Sequence, residues 1–419
     1  MDTETDLLRE LNETDRRIRE LLTDLDEQQL NVPYEGGINP PVWELGHAAF
    51  FYEFFLLREL GDATPRMPGY DEIWDSFQIA HKQRWQSGVV PDKQTTLDYY
   101  ARVLDEVRGR LEAGADERER YLCKYGIGHQ NMHLESMVWC RQTVGYPAPP
   151  SATTEMPPSG TAVEGDVTIA GGRYQLGMID DGRFSFDNER PGPVMHLESF
   201  RIAKTLVSNR EFLRFVEDGG YDDDSLWSFR GRAWLVEKRA QHPLYWRRTG
   251  DDDWEARRFD QWQALSLDAP VLHVNCWEAE AYCNWAGRRL PTEHEWEAAA
   301  RGAEGRMFPW GDAMDAARVD MDAGHLARAS VGSIIDGATP EGCLQMIGTA
   351  WEWTSSQFLP YDGFAVDMYP FMSTLQFGDH RVTKGGSCAT SSCLIRGSYR
   401  QAYLPDRRDA FCGFRTCAR

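Results

Sequence analysis

Basic residues, histidines and long apolar runs are all scarce in this chain of 419 residues. Lys and Arg number 45 against 66 Asp and Glu, which gives a formal net charge of −21. Nucleic acids and anionic membrane surfaces are bound through basic patches, so the charge balance argues against both as partners. The chain also lacks a run of about 18 consecutive apolar residues, and we therefore predict no transmembrane helix.

The start of the chain and its cysteines indicate the expected compartment. Met1-Asp-Thr-Glu-Thr-Asp6 lacks the basic and apolar segments of a secretory signal peptide. The nine cysteines are scattered and contain no C-x2-C pair, which is the usual mark of a zinc or redox site. We therefore expect a cytoplasmic protein whose cysteines are reduced thiols.

Residues 1–147 show the hydrophobic periodicity of helices. Four such segments are predicted, at about 7–25, 41–60, 95–111 and 121–141. Helices of this length favour a four-helix bundle, and metal sites are commonly built from side chains that face each other inside such a bundle. The long connection over residues 67–93 is rich in Trp, His, Arg and Gly, and long ordered connections often carry function.

The pattern changes after residue 147. Residues 148–164 are rich in proline and predict a linker. Residues 165–419 show short strands, glycine turns and isolated tryptophans, with helices expected near 208–218 and 276–286. The predicted fold class is therefore α+β, with a helical domain over 1–147 and an irregular mixed domain over 165–419.

Three histidines are placed to bind a metal. His129-Gln-Asn-Met-His133-Leu-Glu135 puts two imidazoles one helical turn apart, and Glu135 is placed to orient a ligand. His47, on the second predicted helix, is the candidate for the third ligand. Three neutral imidazoles suit Fe, Zn, Cu or Ni and leave positions for water, substrate or O2. A coincidental pair of histidines on a helix surface remains the alternative.

Motifs after the linker follow one another in a specific order. They are Phe186-Asp-Asn-Glu-Arg-Pro191, Val207-Ser-Asn-Arg-Glu-Phe212, Gly219-Gly-Tyr221, Pro270-Val-Leu-His-Val274, Glu278-Ala-Glu-Ala-Tyr282, Trp285-Ala-Gly-Arg-Arg-Leu-Pro-Thr-Glu-His-Glu-Trp296, Ala299-Ala-Arg-Gly302, Phe308-Pro-Trp-Gly-Asp312, Gly385-Gly-Ser387 and Gly413-Phe-Arg415. This series resembles the formylglycine-generating-enzyme (sulfatase-modifying factor) fold, a variant of the C-type-lectin-like fold.

With a DinB-like four-helix bundle before that domain, the chain resembles the ergothioneine-pathway sulfoxide synthases over essentially its whole length. In that family three histidines bind non-heme Fe(II), and His47, His129 and His133 match them one for one. The family uses O2 to join a thiol sulfur to C2 of the imidazole of hercynine (Nα-trimethylhistidine). The resemblance thus implies an iron(II)-dependent oxidoreductase with O2 as co-substrate and small molecules as partners.

The expected catalytic tyrosine is one departure from the family. Many members carry a tyrosine after the W-E-W-T motif that serves as a proton or electron donor, and here Phe358 stands at that place. Tyr361 matches a second tyrosine of the same segment. A subgroup takes its tyrosine from the helical domain, where Tyr99 and Tyr100 are the candidates. Both are equally well explained as ordinary helix residues.

The donor-binding segments also depart from the family. In the members that use γ-glutamylcysteine, an acidic residue and an arginine-rich loop bind this donor. In this chain Tyr403 replaces the acidic residue, and the segment Ala80-His-Lys-Gln-Arg-Trp85 replaces the loop. These replacements imply another donor, and they slightly favour the selenoneine synthase branch, which uses a selenosugar. Cysteine or another thiol is the alternative. The predicted substrate-binding residues are Lys82, Arg84, Trp85, Phe358, Gln401, Tyr403 and Phe414, and Trp351 and Trp353 are possible aromatic walls or plain core.

Other functions remain open at this point. A formylglycine-generating oxidase would bind copper through two thiols, for which Cys388 and Cys393 are the nearest pair, although they are offset from that enzyme's spacing. A lectin-like binding module without catalysis would be compatible with the fold alone. A mononuclear zinc hydrolase would be compatible with the ligands alone. Buried hydrophobic packing is the simpler explanation of the cysteines.

Overall fold

The computed structural model describes residues 2–61, 63–153, 163–250 and 253–419. The chain divides into two compact units. The first comprises Met1–Ser151 and Asp181–Phe184, and the second comprises Ala152–Asp180 and Ser185–Arg419. Most of the proline-rich stretch predicted as a linker, residues 154–162, lies outside the described residues.

The first unit is helical. Its α-helices are α1 (Glu4–Thr23), α2 (Glu27–Leu30), α3 (Pro41–Tyr52), α4 (Asp71–Trp74), α5 (Lys93–Ala113) and α6 (Glu117–Val144). The four longer helices, α1, α3, α5 and α6, correspond to the four predicted segments. The connection between α3 and α5 contains α4 and a 3-10 helix over His81–Trp85.

Local signals set the ends of the longest helix. Asp116 caps α6, because its side chain accepts a hydrogen bond from the Glu119 backbone and the Glu119 side chain accepts one in return. Gly145 ends α6 in the left-handed conformation, with φ at 75°. The helix is therefore longer at both ends than the predicted segment, and both metal-ligand candidates lie well inside it.

The helix α3 continues into a π-helical turn, Glu53–Leu57, where the prediction had a uniform helix. Glu53 is buried there, and its carboxylate accepts hydrogen bonds from Arg58 and Tyr99. A buried carboxylate needs such partners, because its desolvation is otherwise costly. This network links the end of α3 to α5.

Over its described residues, the second unit consists of short strands and four α-helices. The strands are β1 (Asp166–Ile169), β2 (Gly172–Gln175), β3 (Val194–Leu197), β4 (Phe200–Ala203), β5 (Trp246–Arg248), β6 (Trp254–Arg258), β7 (Gln261–Ala264), β8 (Arg288–Arg289), β9 (Trp351–Gln357), β10 (Arg381–Lys384), β11 (Arg400–Tyr403), β12 (Cys412–Gly413) and β13 (Cys417–Ala418). The helices are α7 (Asn209–Glu217), α8 (Phe229–Lys238), α9 (Cys276–Trp285) and α10 (Glu293–Arg301). The predicted α+β class is confirmed. The sequence prediction found α7 and α9 and missed α8 and α10.

This unit contains two four-stranded sheets, with strand orders β1-β4-β13-β8 and β11-β10-β9-β12. Smaller sheets pair β2 with β3 and join β5, β6 and β7. Strand β12 runs parallel to β9 and the other pairs are antiparallel. A core that includes Trp296, Ile202 and Leu176 fills the space beside the first sheet.

Within residues 2–61, 63–153, 163–250 and 253–419, no helix is both long enough and apolar enough to cross a membrane.

Candidate metal centre

Two packed helices bring the three predicted histidines together. Helix α3 carries His47, and α6 carries His129 and His133 on one face, one turn apart. Their potential ligand atoms all lie within 4.8 Å of one another, and the Nε2 atoms of His129 and His133 are 3.1 Å apart. Among the residues that the structure describes, no other group of His, Cys, Asp or Glu meets this condition.

The surroundings of His47 fix its orientation. Its Nδ1–H donates to the backbone carbonyl of Trp74 at 2.6 Å, which leaves Nε2 as the nitrogen with a lone pair. Trp43 stacks on the imidazole at 4.7 Å between ring centroids, and the Trp43 indole N–H donates to the carbonyl of Ile73. Two side chains of α3 therefore hold two consecutive carbonyls at the end of α4.

His133 is fixed by a carboxylate. Its Nδ1 forms a hydrogen bond with Glu44 Oε2, so Nε2 is again the nitrogen with a lone pair. Glu44 is only 1% exposed, and its other oxygen accepts hydrogen bonds from Ser136 Oγ at 2.6 Å and from Asn39 Nδ2 at 3.0 Å. The Phe51 ring stacks on the third imidazole, His129, with 3.8 Å between the centroids.

Burial determines the charge state of two of the imidazoles. It lowers the pKa of His47 to about 3, with a further contribution from the neighbouring His133. Burial also lowers the pKa of His129 well below its usual value, and again the neighbouring histidines act in the same direction. For Glu44, burial acts to raise the pKa, but His133 and the hydrogen-bond donors outweigh it and hold the pKa at about 2. At neutral pH the imidazoles of His47 and His129 are therefore uncharged, and Glu44 is a carboxylate.

Sequence reasoning missed Glu44. It proposed Glu135 as the residue that orients a ligand, whereas the carboxylate bonded to His133 is Glu44. A signal was present in the sequence. Glu44 lies three residues before His47, on the same face of an otherwise apolar helix, and a charged residue at such a position must find a polar partner.

The turn at residues 81–85 belongs to the same unit. Arg84 donates to Asn39 Oδ1 at 2.6 Å, and its guanidinium lies 3.7 Å above the Trp43 ring. The Trp85 indole N–H donates to the Val32 carbonyl, and Lys82 lies over the ring of Tyr34. Arg84 and Trp85 line a cavity of about 340 Å³ together with Asn31, Pro40, Val42 and Lys93, among others.

The two helical tyrosines are held in separate networks. The Tyr99 hydroxyl donates to Glu53 at 2.7 Å. The Tyr100 hydroxyl accepts a hydrogen bond from Gln130, whose side-chain oxygen accepts one from Tyr52. Both tyrosines are buried, and burial raises the pKa of each. Each hydroxyl therefore has a partner within the bundle.

The second unit holds the remaining predicted residues. Phe358 is fully buried against Val382, Ala402 and Phe377, and Arg400 lies over its ring. Arg400 also lies 4.1 Å from the centre of the Tyr361 ring. The Tyr361 hydroxyl is buried and has no hydrogen-bond partner among the described residues, and burial raises its pKa well above the usual value.

The candidates for donor contacts differ in accessibility. On β11, Gln401 is half-buried, and its side-chain oxygen accepts a hydrogen bond from the Ala402 backbone. Tyr403 is buried, with its ring edge-on to Trp351 and Trp353 and with Arg407 over its face.

Three aromatic residues that were proposed to line the substrate site have no exposed surface. Trp351, Trp353 and Phe414 are each 0% exposed. Phe414 packs edge-on against Phe212 and Tyr282, and the Trp353 indole N–H donates to the Val274 carbonyl. Their complete burial assigns the three rings to the core of the second unit.

The donor set fits a transition metal. Two of the three imidazoles have Nδ1 committed to a carbonyl or a carboxylate, so their Nε2 lone pairs are available in the cluster. Burial keeps His47 and His129 uncharged, which is the state that binds a metal. Three imidazole nitrogens suit Fe, Zn, Cu or Ni and leave coordination positions for small molecules.

Comparisons with known proteins agree with the two-part organisation. Residues 10–139 match the DinB superfamily, and residues 152–419 match the sulfatase-modifying factor enzyme 1-like domain. The hercynine oxygenase of Mycolicibacterium smegmatis is 36% identical over 411 residues, which cover 94% of each chain. That of Mycolicibacterium thermoresistibile is 35% identical over 420 residues, covering 96% of this chain and 92% of the relative. The formylglycine-generating enzyme of Streptomyces coelicolor is 31% identical over 315 residues, covering 66% of this chain and 96% of the relative.

Proposed function

The chain belongs to the hercynine oxygenase family, with a DinB-superfamily domain followed by a sulfatase-modifying-factor domain, and on this basis we propose that it is an Fe(II)- and O2-dependent oxidoreductase that acts on hercynine. The reaction would form a bond between a chalcogen atom and C2 of the hercynine imidazole. We expect the enzyme to work in the cytoplasm on small molecules. The observation that carries the proposal is the cluster of His47, His129 and His133, of which the first two are buried and the third is half-buried.

The residues of the bundle would each have a defined part. Bound iron would supply the activation of O2 and the oxidation. His47, His129 and His133 would hold it through Nε2. Imidazole ligands bring no negative charge, so they would leave the positive charge of the iron to attract an anionic donor atom. The carbonyl of Trp74 and the carboxylate of Glu44 would keep two of the imidazoles in the orientation that binding needs.

We further propose that the second substrate is not γ-glutamylcysteine. Arg84 already has Asn39 and Trp43 as partners, which makes it a less available clamp for a donor carboxylate. On β11, Tyr403 supplies an aromatic ring and a hydroxyl where an acidic side chain would be expected to hold a donor amine. A neutral, hydroxyl-rich donor such as a selenosugar fits these groups slightly better than a charged one. Cysteine or another thiol is the second candidate.

One reconstitution experiment tests both proposals. The full-length protein is loaded with Fe(II) without air, its iron content is measured, and O2 is added with hercynine. Cysteine, γ-glutamylcysteine and a 1-selenosugar are offered in competition, and the products are identified by mass. We expect one iron per chain and a hercynine adduct that carries either selenium from the selenosugar or sulfur from cysteine.

The outcomes separate the two proposals. An iron-loaded protein that consumes hercynine with none of the donors would overturn the assigned reaction. Turnover of γ-glutamylcysteine at the rate of the best alternative would leave the reaction standing and remove the donor proposal. A protein that oxidises a peptidyl cysteine with thiol-bound copper would instead be a formylglycine-generating oxidase.

A further inference from the structure

Arg84 makes contact with the surroundings of two candidate metal ligands at once. Its Nη1 donates to Asn39 Oδ1 at 2.6 Å. Its guanidinium also stacks on Trp43, with Cζ 3.7 Å from the ring centroid. Both contacts are formed between residues of the helical unit.

The first contact continues to His133. Asn39 accepts from Arg84 through Oδ1 and donates through Nδ2 to Glu44 Oε1, at 3.0 Å. Glu44 then accepts from His133 Nδ1 through its other oxygen. Ser136 Oγ also donates to Glu44, at 2.6 Å. Donors on both oxygens fix the carboxylate plane, so Glu44 cannot turn without breaking a buried hydrogen bond.

The second contact continues to His47. The ring of Trp43 lies parallel to the His47 imidazole, at an angle of 8° and a centroid distance of 4.7 Å. Its indole N–H holds the carbonyl of Ile73, next to the Trp74 carbonyl that accepts from His47. A displacement of the guanidinium from Trp43 would therefore act on the packing of a second ligand.

We propose that Arg84, Asn39 and Glu44 are positioning residues that couple the turn at residues 81–85 to the metal centre. A small molecule that binds to Arg84 and moves its guanidinium changes the affinity of the centre for metal. Metal binding in turn changes the affinity for that molecule by the same factor, because coupling between two sites is reciprocal. The inference rests on the metal site of the proposed function and goes beyond it, since it assigns a link between that site and a surface turn.

The size of the effect follows from what each residue touches. Glu44 contacts a ligand directly, and loss of such a hydrogen-bonded partner typically lowers metal affinity about 10- to 100-fold. Asn39 acts through Glu44, and Arg84 acts through Asn39 and through Trp43, so removal of either should have a smaller effect in the same direction. Since part of the Arg84 effect passes through Asn39, the combined effect of the two substitutions should be smaller than the product of the single effects.

Co(II) binding measures this coupling without turnover. Co(II) alone is added to the full-length protein, its affinity is measured against a chromogenic chelator, and its visible absorption reports the ligand geometry. We expect Glu44→Gln to bind Co(II) about 10- to 100-fold more weakly, with an altered spectrum. Arg84→Met and Asn39→Leu should each weaken binding to a smaller extent, and the double variant should lose less affinity than the product of the two single losses.

Two further variants control for folding and for general loss of a buried carboxylate. Glu53→Gln removes a carboxylate that is 1% exposed and bonded to Tyr99 and Arg58, away from the three histidines, and it should leave Co(II) affinity unchanged. Ser136→Ala removes one donor to Glu44 and should give a small loss of affinity even if Glu44→Gln does not fold.

Each result has a distinct meaning. A wild-type protein that does not bind Co(II) would overturn the metal site itself. Wild-type binding with unchanged affinity in Glu44→Gln and Ser136→Ala would keep the site and overturn the role of Glu44. Losses for Arg84→Met and Asn39→Leu that multiply in the double variant would overturn the path through Asn39.

Discussion

Gly46 lies where the ring of Trp74 packs against α3. A Cβ atom at this position would come within 2.3–2.6 Å of three atoms of that ring, which real contacts do not allow. Trp74 is almost fully buried and cannot move outward easily. We predict that Gly46→Ala displaces Trp74 together with the carbonyl that holds His47, with at least about a tenfold loss of Co(II) affinity and about 1–3 kcal/mol of stability.

A matched variant separates this effect from general overpacking. A Cβ atom on Gly126 of α6 would meet the Tyr52 ring at 2.4 Å, in the same bundle. The Tyr52 hydroxyl donates to Gln130 Oε1 at 2.8 Å, whereas Trp74 supplies the carbonyl that holds His47. If Gly126→Ala loses as much metal affinity as Gly46→Ala, the effect comes from loosening of the bundle and the role assigned to Trp74 is wrong.

The hydroxyl groups of Tyr361 and Tyr99 differ in their hydrogen bonding. The Tyr361 hydroxyl has no hydrogen-bond partner among the described residues, whereas that of Tyr99 donates to Glu53. A proton donor must have its proton available, and removal of a general acid costs about 10²–10⁴ in rate. We predict that Tyr361→Phe lowers kcat by that order with little change in iron content, and that Tyr99→Phe does not. Equal kcat values for Tyr361→Phe and the wild type would exclude this tyrosine as the donor.

His273 gives a dependence of stability on pH. Burial lowers the pKa of His273 to about 4 from the ordinary 6.5, against an opposing hydrogen bond to the Arg408 carbonyl. As pH falls, His273 therefore binds a proton in the unfolded chain before it does so in the folded protein. Protonation of the unfolded chain lowers the free energy of unfolding, so the contribution of His273 to that free energy is complete above about pH 6.5 and is lost toward pH 4. The loss amounts to at most about 3 kcal/mol.

The variant His273→Asn tests this sign. Asn tolerates the left-handed backbone that His273 adopts at φ 60°, and its amide can donate to the same carbonyl. We predict that the unfolding temperature of the wild type falls more steeply between pH 6.5 and 4.5 than that of the variant, an interval set by the two pKa values. Parallel curves would show that His273 is not a buried neutral group.

Sequence spacing revealed the histidines because a helix repeats its faces every three or four residues. The i,i+4 pair His129 and His133 needs nothing beyond that regularity. The hydrogen-bond partners of the ligands were not predictable in the same way. Trp74 contributes a backbone carbonyl, which any residue carries, and Glu44 meets a histidine 89 positions away in the chain.

At the scale of elements, a buried ion pair connects the end of the chain to β9. Glu352 of β9 and Arg415 are both almost fully buried, with nitrogen–oxygen distances of 2.6 and 2.8 Å. Arg415 also donates to the carbonyls of Ala203 and Leu344. Removal of one partner leaves the other charge buried without compensation, which costs about 3–5 kcal/mol.

We therefore predict that Arg415→Met lowers the free energy of unfolding by about 3–5 kcal/mol in a denaturant titration. The exposed pair Arg247 and Glu255 is the control, since a pair at the surface contributes at most about 1 kcal/mol, and Arg247→Met should have that smaller effect. A loss below 1 kcal/mol for Arg415→Met would contradict the structural role of the pair.

Elements were predictable where one periodicity runs for several turns. The long helices α1, α5 and α6 fulfil this condition, and their ends differ from the prediction by only a few residues. The helices α8 and α10 are no shorter than α7 and α9, but their apolar residues do not keep to one buried face, because α8 exposes Phe229 and Val236 and α10 buries three consecutive alanines. The π-helical turn after α3 was not predictable, because it depends on the packing of Glu53 with Arg58 and Tyr99.

At the scale of the whole molecule, the change in sequence pattern after residue 147 separated two kinds of architecture. A bundle repeats one simple period, whereas the second unit depends on ordered motifs whose spacing follows no period. Short strands and glycine turns indicated its α+β class and the motif series indicated the fold it resembles, whereas the strand pairing, such as β12 running parallel to β9, came only from the structure. Residues such as Phe414 looked like possible site walls because aromatic composition alone does not distinguish core from cavity.

Metal binding should stabilise the folded chain as a whole. Binding to the folded state alone stabilises a protein by about 2.7 kcal/mol when the free metal is at 100 times its Kd. The three candidate ligands come from α3 and α6, so unfolding of either helix destroys the site. We predict that Co(II) raises the temperature at which the helical signal in circular dichroism is lost. Mg(II), which prefers oxygen ligands, should not. His129→Ala removes one of three ligands and should abolish the shift, and an equal shift in that variant would mean that the metal binds elsewhere on the chain.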